Sequence, residues 1–156
     1  MRIYKKALLL TAEQMRIVEE IQYRKSPGFL GDFGYFANGE RFNTGTLPES
    51  LHETFERMKE VTSCRQEFNQ VFIQRYLTGQ RVVSHRDPYT NKGVTLILVQ
   101  GKFQGAAFNY MNSKIDVDPG DILKLPCTIH GAQGPVHSVD PVFSGVKYSL
   151  ILNTIR

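Results

Sequence analysis

The chain has 156 residues, of which 41% are hydrophobic and 22% are charged, and its formal net charge is +4. This composition predicts one globular domain over residues 1–156 and excludes a low-complexity or repeat protein. The apolar run ALLL at residues 7–10 is too short to cross a membrane and lacks signal-peptide features, so no membrane association is expected. Cys64 and Cys127 are isolated, which argues against a disulfide framework and favours a cytoplasmic location.

Two helices are predicted in the first part of the chain. Residues 11–14 (TAEQ) form a capping box, and apolar residues at helical spacing extend this helix to about Tyr23. Pro48 opens the second helix, which turns an apolar stripe inward and ends near Ser63. Between them, residues 26–47 mix glycine with aromatic residues, a pattern typical of loops with short strands.

After residue 66 the chain changes to short β-rich runs separated by Gly, Pro or Asn. Seven or so runs, from NQVFIQRYL to VKYSLIL, predict an antiparallel sandwich or barrel such as a jelly roll. The fold class is therefore mainly β (α+β), with the two N-terminal helices packed on one face. The chain divides into a helical and lid region over residues 1–66 and a jelly-roll core over residues 67–156.

The run VVSHRDPY places His85 two positions before Asp87 at the end of an apolar strand. Such a pair is half of an Fe(II) facial triad, in which two histidines and one carboxylate leave coordination positions open. On its own, the pair is more typical of an ordinary polar turn capped by the aspartate. A second histidine that could join this pair is needed to decide between a metal site and a polar turn. His52 falls on the predicted polar side of the second helix, whereas His130 and His137 both lie just before the last strand.

Three motifs resemble the 2-oxoglutarate- and Fe(II)-dependent oxygenases and occur in that family's order. YLTGQRVVSHRDP (residues 76–88) resembles the strand pair that carries His-x-Asp, and DPGDILKLP (118–126) resembles the Gly-Asp turn and its strand. HSVDPVFSGVKYSL (137–150) resembles the closing signature. The resemblance covers about residues 68–153 and implies a double-stranded β-helix, the jelly roll of this family.

The same resemblance implies the ligands of the metal. His85, Asp87 and His137 are expected to bind Fe(II). His130 is the runner-up to His137, because a His-Gly pair after the Gly-Asp strand also occurs in some relatives. Two imidazoles and one carboxylate leave room for 2-oxoglutarate as cosubstrate and for O₂. The implied reaction couples oxidative decarboxylation of 2-oxoglutarate to hydroxylation of a substrate C–H bond.

The distal carboxylate of 2-oxoglutarate needs a fixed cation where it is desolvated. Lys147 takes that place in the closing signature, where most relatives carry Arg and the prolyl-hydroxylase-like branch carries Lys. A lysine acts as a point charge and relies on nearby polar groups. Ser149 lies on the same face of the last strand by the period of two, and Tyr76 and Gln74 are further candidates for cofactor binding.

Residues 28–60 resemble the lid and helix of AlkB-like dealkylases and of the related thymine and 5-methylcytosine hydroxylases. This resemblance and the positive charge imply a modified or methylated nucleobase in nucleic acid as the substrate. Lid aromatics would stack on the base while arginine faces phosphate. About half of these aromatics are instead expected to fill the core between helix and sheet. The substrate-binding candidates are Phe33, Tyr35, Phe36, Arg41, Phe42 and Arg86.

Departures from the dealkylase pattern leave alternatives open. Gln74 stands where dealkylases carry Asn, Lys147 replaces Arg, and Asn153 replaces a later Arg of the last strand. The lysine favours a peptidyl (prolyl-type) or small-molecule hydroxylase, although the Trp that follows it in prolyl hydroxylases is missing. A third alternative is a non-enzymatic jelly-roll binding module in which His-x-Asp is incidental. The oligomeric state is not predicted.

Overall fold

The computed structural model describes residues 1–21, 23–25, 34–36, 49–87, 91–127 and 134–155. This part of the chain contains two helices, α1 (Ala12–Glu20) and α2 (Glu49–Val61), neither long and apolar enough to span a membrane. The same residues form eleven strands, a mainly β architecture as predicted. They are β1 (Arg2–Tyr4), β2 (Tyr23–Lys25), β3 (Gly34–Phe36), β4 (Gln70–Tyr76), β5 (Val82–His85), β6 (Asn91–Gly105), β7 (Phe108–Tyr110), β8 (Ser113–Ile115), β9 (Ile122–Pro126), β10 (His137–Val139) and β11 (Val142–Ile155).

The helices follow the sequence signals closely. Thr11 caps α1 through the predicted capping box, in which its hydroxyl accepts from the backbone N–H of Gln14. The predicted extension to Tyr23 is wrong, because the chain leaves the helix after Glu20 and Tyr23 begins β2. The polar-side prediction for His52 is also wrong: the residue is half-buried, and its Nε2 is buried with no partner among the described residues.

The strands form two antiparallel sheets. Over the described residues, the larger sheet has the order β1-β9-β6-β11-β4-β3-β2, and the smaller has the order β5-β10-β7-β8. The long strands β6 and β11 pair along most of their length at the centre of the larger sheet. The two sheets thereby place strands that are distant in sequence beside one another, as in a jelly roll.

The larger sheet is buried on both faces. Its outer face carries Leu96 and Leu150, which pack with Leu51, Phe55 and other residues of the two helices. Its inner face packs against the smaller sheet, so that residues from both sheets form a second core cluster. Burial on both faces explains why VTLILVQ and SLIL read as nearly continuous apolar runs rather than alternating ones.

The sequence indicated seven or so strands, fewer than the structure contains. β1 and β10 were missed because each has only three residues and neither belongs to a longer β-rich run, unlike the equally short β7 and β8. Both segments are extended because they pair with strands that are distant in sequence. β1 pairs with β9, and the Gly-Asp turn before β9 helps to hold it: the buried Asp121 carboxylate accepts from the backbone N–H of Lys6 at 2.8 Å.

Candidate metal centre

Three predicted ligands converge where the smaller sheet meets the cavity between the sheets. His85 ends β5 and His137 begins β10, and the antiparallel register places the two residues directly opposite each other. Asp87 follows β5, and its Oδ1 lies 3.7 Å from His85 Nε2 and 3.5 Å from His137 Nε2. Candidate ligand atoms of all three residues lie within 4.8 Å of one another, close enough to share one ion.

Backbone hydrogen bonds orient both imidazole rings. The Nδ1 atom of His85 lies 2.8 Å from the carbonyl oxygen of Val83, and Nδ1 of His137 lies 2.9 Å from that of Pro135. A carbonyl oxygen only accepts, so each Nδ1 carries a proton and each Nε2 is left for a ligand. Both Nε2 atoms face Asp87. This donor set, with its supporting hydrogen bonds, fits a divalent first-row metal such as Fe(II).

Mutual interactions set the charge of the cluster. Burial lowers the pKa of His85, and the neighbouring His137 lowers it further. Burial alone would raise the pKa of Asp87, but its hydrogen bond to His137 and the charge of that imidazole outweigh burial and lower the pKa. The same contacts with Asp87 overcome burial and raise the pKa of His137. The cluster therefore offers an ionised carboxylate between two imidazoles.

Arg86 braces the segment that leads to His137. Its side chain is exposed, but its guanidinium donates a hydrogen bond of 2.7 Å to the carbonyl oxygen of Gly134. Gly134 packs so closely on the residue after β9 that a Cβ there would lie 2.5 Å from the carbonyl oxygen of Cys127. The sequence suggested Arg86 as a substrate contact. In the structure its guanidinium links the two segments that carry the metal-ligand candidates.

The metal-ligand candidates open into a cavity of about 110 Å³ between the two sheets. Four residues of β11 line its other wall, at every second position from Lys147 to Asn153. Apolar residues of β4, β6 and β9 complete this wall, among them Phe72, Ile97 and Leu125. The cavity therefore has one wall that carries the His-Asp-His cluster and another that is apolar in its middle.

Lys147 is a buried cation facing this cavity. It is 2% exposed, and no carboxylate among the described residues forms an ion pair with it. Its Nζ lies 5.0 Å from the centre of the Tyr76 ring. Burial lowers the pKa of Lys147 to about 7. A buried ammonium without a counter-ion is unfavourable, so the site is suited to an anionic ligand.

The polar residues predicted beside Lys147 surround it in the sheet register. Lys147 pairs with Tyr76, and Ser149 pairs with Gln74. The Tyr76 hydroxyl donates to the Gln74 side chain, and burial raises the pKa of Tyr76, although the hydrogen bond from Ser149 partly offsets this. The phenol therefore stays protonated. The structure brings together all four predicted cofactor-binding residues.

Most of the remaining predicted residues lie outside the described part of the chain. Phe33, Arg41, Phe42 and the runner-up ligand His130 lie outside the described residues. Tyr35 and Phe36 belong to β3, where Tyr35 pairs with Gln74 at the backbone.

A buried polar group at the far end of the wall was missed. Thr95 and Asn153 both line the cavity and are hydrogen-bonded to each other. Two sequence signals point to them: Thr95 interrupts the apolar run VTLILVQ, and Asn153 falls on the face of Lys147 by the period of two. The sequence analysis noted Asn153 only as a departure from the dealkylase pattern.

The fold of this chain is similar to the double-stranded β-helix of the 2-oxoglutarate/Fe(II) oxygenases, and this similarity defines the class of protein that the chain resembles. A solved 2-oxoglutarate/Fe(II) oxygenase family oxidoreductase from Burkholderia pseudomallei matches with a TM-score of 0.66 and 16% identity, over 91% of this chain and 76% of that one. No family profile and no curated protein sequence matches the chain. The similarity therefore rests on structure, and it confirms the predicted jelly roll.

Particular prolyl hydroxylases share the same fold. One from Trichoplax adhaerens, solved with a hypoxia-inducible-factor peptide fragment, has a TM-score of 0.69 at 13% identity, over 99% of this chain and 83% of that one. One from Pseudomonas putida has a TM-score of 0.67 at 14% identity, over 99% and 92%. The viral collagen prolyl hydroxylase of Paramecium bursaria Chlorella virus-1, solved with 2-oxoglutarate, has a TM-score of 0.61 at 16% identity, over 99% and 96%. The expected AlkB-like branch gains no support from these four structures.

Proposed function

We propose that this chain is an Fe(II)- and 2-oxoglutarate-dependent oxygenase that hydroxylates a C–H bond. The observation that carries the proposal is the convergence of His85, Asp87 and His137. Both imidazoles hold their Nδ1 protons on backbone carbonyls and turn Nε2 toward one carboxylate. In this proposal these three residues hold the iron and leave part of its coordination sphere to the cosubstrate and O₂.

The buried Lys147 supports 2-oxoglutarate as the cosubstrate. Its ammonium would bind the distal carboxylate, with hydroxyl groups of Ser149 and Tyr76 beside it. Carboxylate binding supplies the counter-ion that the buried lysine lacks among the described residues. The apolar part of the wall, which includes Phe72 and Ile97, keeps water from the region between this anchor and the metal.

When bound, iron and 2-oxoglutarate supply the oxidising chemistry, in which decarboxylation to succinate is coupled to hydroxylation of the substrate. The protein residues bind and orient these groups. The backbone carbonyls of Val83 and Pro135 fix the two imidazole rings, and Arg86 holds the chain before His137 in place. Supporting contacts of this kind commonly change metal affinity or activity 10–100-fold.

For the substrate we propose a peptidyl, prolyl-type residue rather than a nucleobase. Lys147 in place of the more usual arginine supports this choice, as does the similarity to three prolyl hydroxylases, one of them solved with a peptide. The nucleobase alternative rests on the resemblance of residues 28–60 and the net charge of +4. Most of its proposed lid lies outside the described residues.

A binding and turnover experiment tests the proposal. We expect one Mn(II) per chain by anaerobic calorimetry, followed by 2-oxoglutarate binding to the metal-loaded protein. Both should be lost in His85→Ala and His137→Ala. His52→Ala is the matched control, because His52 lies in α2 and should leave metal affinity unchanged. Wild-type protein that binds no metal would overturn the oxygenase proposal.

The substrate class is tested separately by succinate release with Fe(II). Short peptides carrying one proline in varied sequence contexts are compared with methylated single- and double-stranded oligonucleotides. Stimulation by peptides alone supports the peptidyl proposal. Stimulation by oligonucleotides alone, with a steep loss of their binding on raising salt, would favour the nucleobase alternative.

A further inference from the structure

A second cavity, an open groove of about 620 Å³, lies on the outer face of the larger sheet. Val146 and Tyr148 of β11 line it, and because side chains alternate along a strand they point away from Lys147 and the cavity between the sheets. Met15 and Glu19 of α1 form the opposite side of this outer groove. The proposed function uses no residue of the groove. The helices therefore leave part of the outer face of the sheet uncovered.

The floor of the outer groove has room for a side chain that enters from outside. Gly101 of β6 and Gly145 of β11 line the floor and contribute no side chain to it. Both have positive φ angles, and a Cβ at either position would collide with the backbone of the paired strand, so glycine is required there. The space above the two glycines is therefore a fixed feature of these strands.

The Tyr148 hydroxyl is a polar group that faces the outer groove from a buried residue. Tyr148 is 7% exposed, and its ring packs against Tyr23 with the ring centres 5.9 Å apart. No hydrogen bond to its hydroxyl is formed within the described part of the chain. Burial raises the pKa of Tyr148, and the nearby Glu19 carboxylate raises it further, so the hydroxyl keeps its proton. The groove therefore offers one unused hydrogen-bond donor to an incoming chain.

Leu9 projects from the rim of the outer groove on a fixed segment. Its side chain is 64% exposed. The residues on either side are held in place: the Leu8 N–H donates to the carbonyl oxygen of Gly120 at 3.1 Å, and the Leu10 N–H donates to Gln100 Oε1 at 3.3 Å. Leu9 itself lies against Gly120, where a Cβ would come within 3.1 Å of its Cδ2. An apolar side chain that is already held in place loses little entropy on binding.

The described residues that line the outer groove include only two charged side chains, and their charges are opposite. Glu19 lies on the side of α1, and Lys102 lies on the side of β6. Both are exposed, and neither forms an ion pair with any described residue. The groove is therefore neutral overall, in a chain whose net charge is +4.

These features make the surface complementary to itself. Each copy of the chain carries an exposed leucine beside an apolar groove, together with one acidic and one basic residue at the rim. A two-fold axis brings the same surface of two chains together, so that each leucine meets a groove and each acidic rim meets a basic rim. A strongly anionic or strongly cationic partner would instead place like charges against Glu19 or Lys102. The surface therefore matches a second copy of this chain better than a nucleic acid.

We propose that the outer groove is the interface of a homodimer with two-fold symmetry. Leu9 of each protomer enters the groove of its partner, above the glycine floor. Glu19 of each protomer lies opposite Lys102 of its partner, and the Tyr148 hydroxyl donates to a backbone carbonyl oxygen of the inserted segment. The dimer does not depend on the proposed oxygenase function, because no residue of the metal centre takes part in it.

Sedimentation equilibrium of the metal-free protein, from about 1 µM to about 1 mM, measures the dimer dissociation constant. We expect wild type to dimerise in this range and Leu9→Glu to weaken dimerisation at least about tenfold, because a charge then enters the apolar groove. Leu9 is exposed, so the variant should keep the thermal stability of the wild-type fold. Met111→Glu is the matched control, since Met111 is 57% exposed and lines neither cavity. It should dimerise like wild type.

Charge reversal tests the two-fold pairing. Glu19→Lys and Lys102→Glu should each weaken dimerisation about tenfold, because a symmetric contact exchanges two attractions for two repulsions. An equal mixture of the two single variants should form a heterodimer at close to wild-type affinity, since both ion pairs are then restored. The double variant should recover in the same way. Glu20→Lys makes the same charge change at an exposed residue that does not line the groove, and it should have little effect.

Wild-type protein that stays monomeric at about 1 mM overturns the proposed dimer. A dimer that Leu9→Glu leaves intact, or that Met111→Glu weakens equally, assigns the contact to another surface and overturns it too. Single charge variants that do not associate on mixing rule out the pairing of Glu19 with Lys102 across a two-fold axis. Because the measurement needs neither metal nor cosubstrate, its outcome is separate from that of the oxygenase test.

Discussion

The larger sheet carries Lys147 and its polar neighbours, whereas the smaller sheet carries His85 and His137, and the two hold these side chains differently. Lys147 lies within β11, which is paired on both sides by long strands and backed by the helices. The histidines lie at the ends of strands of only three and four residues. Their orientation depends on individual hydrogen bonds to Val83 and Pro135 and on the Arg86 contact.

This difference suggests that the larger sheet holds Lys147 rigidly, whereas the smaller sheet lets the metal-ligand candidates adjust. A buried cation needs a wall that cannot admit water, and a strand covered on both faces supplies it. A metal cluster needs ligand atoms that converge from separate segments, and strand ends held by a few hydrogen bonds supply that. Changes in the smaller sheet should therefore alter metal affinity, and changes in the larger sheet should alter cosubstrate affinity.

The largest effect is expected for Asp87→Ala. Asp87 is the anionic member of the cluster, and its removal leaves two neutral imidazoles to bind a divalent cation. We expect Mn(II) affinity to fall by more than about 100-fold, beyond the loss typical of groups that only support ligands. Isothermal titration calorimetry measures this affinity. Asp116→Ala, at an exposed position, is the control, and equal affinity in the two variants would contradict the proposed ligand set.

Lys147→Met should separate cosubstrate binding from stability. We expect 2-oxoglutarate affinity of the Mn(II)-loaded protein to fall by about 100-fold, since a buried charged contact is lost. Thermal stability of the free protein should stay equal or rise, because the variant removes a buried ammonium with no counter-ion among the described residues. Mn(II) affinity should not change. Retained 2-oxoglutarate affinity would show that the anchor lies elsewhere.

Arg86→Ala should have a smaller effect, confined to the smaller sheet. Without the hydrogen bond to Gly134, the segment before His137 is held less firmly, and we expect Mn(II) affinity to fall by about tenfold. Arg86→Lys should restore part of it. Arg81→Ala removes an exposed arginine just before β5 and serves as the control. An equal loss in both arginine variants would point to net charge rather than to the Gly134 contact.

The smallest expected effect is a pH dependence of cosubstrate binding. The pKa of Lys147 is about 7, and the facing Tyr76 stays neutral because burial raises its pKa. Since only the ammonium form attracts a carboxylate, we expect 2-oxoglutarate binding to weaken about fivefold between about pH 7 and 8. Lys147→Arg should show no such trend, because a guanidinium stays protonated. Calorimetry across pH on both proteins makes the comparison.

The contribution of Lys147 to the stability of the free protein should rise with pH, whereas 2-oxoglutarate binding weakens. The folded-state pKa of Lys147 lies below its ordinary value of 10.5. Between about pH 7 and 10.5 the unfolded chain therefore binds more protons than the folded chain, so the contribution of Lys147 to stability rises with pH across that window. Lys147→Met lacks this contribution. A wild-type stability profile parallel to that of Lys147→Met would contradict the buried, unpaired lysine.

The sequence by itself determined the features that local patterns encode. The capping box located the start of α1, and the β-rich runs located most of the long strands. The order of the three motifs singled out His85, Asp87 and His137, and the period of two placed Ser149 on the face of Lys147. Each of these inferences needs only the spacing of residues within one segment or a resemblance along the chain.

Only the tertiary structure decided the features that depend on partners distant in sequence. β1 and β10 are strands because β9, β5 and β7 pair with them. The Arg86 contact with Gly134 and the group formed by Thr95, Asn153 and Gln70 join residues that no local pattern relates. Hydrogen bonds and burial act through space, so a side chain acquires such a role only when folding brings its partner within reach.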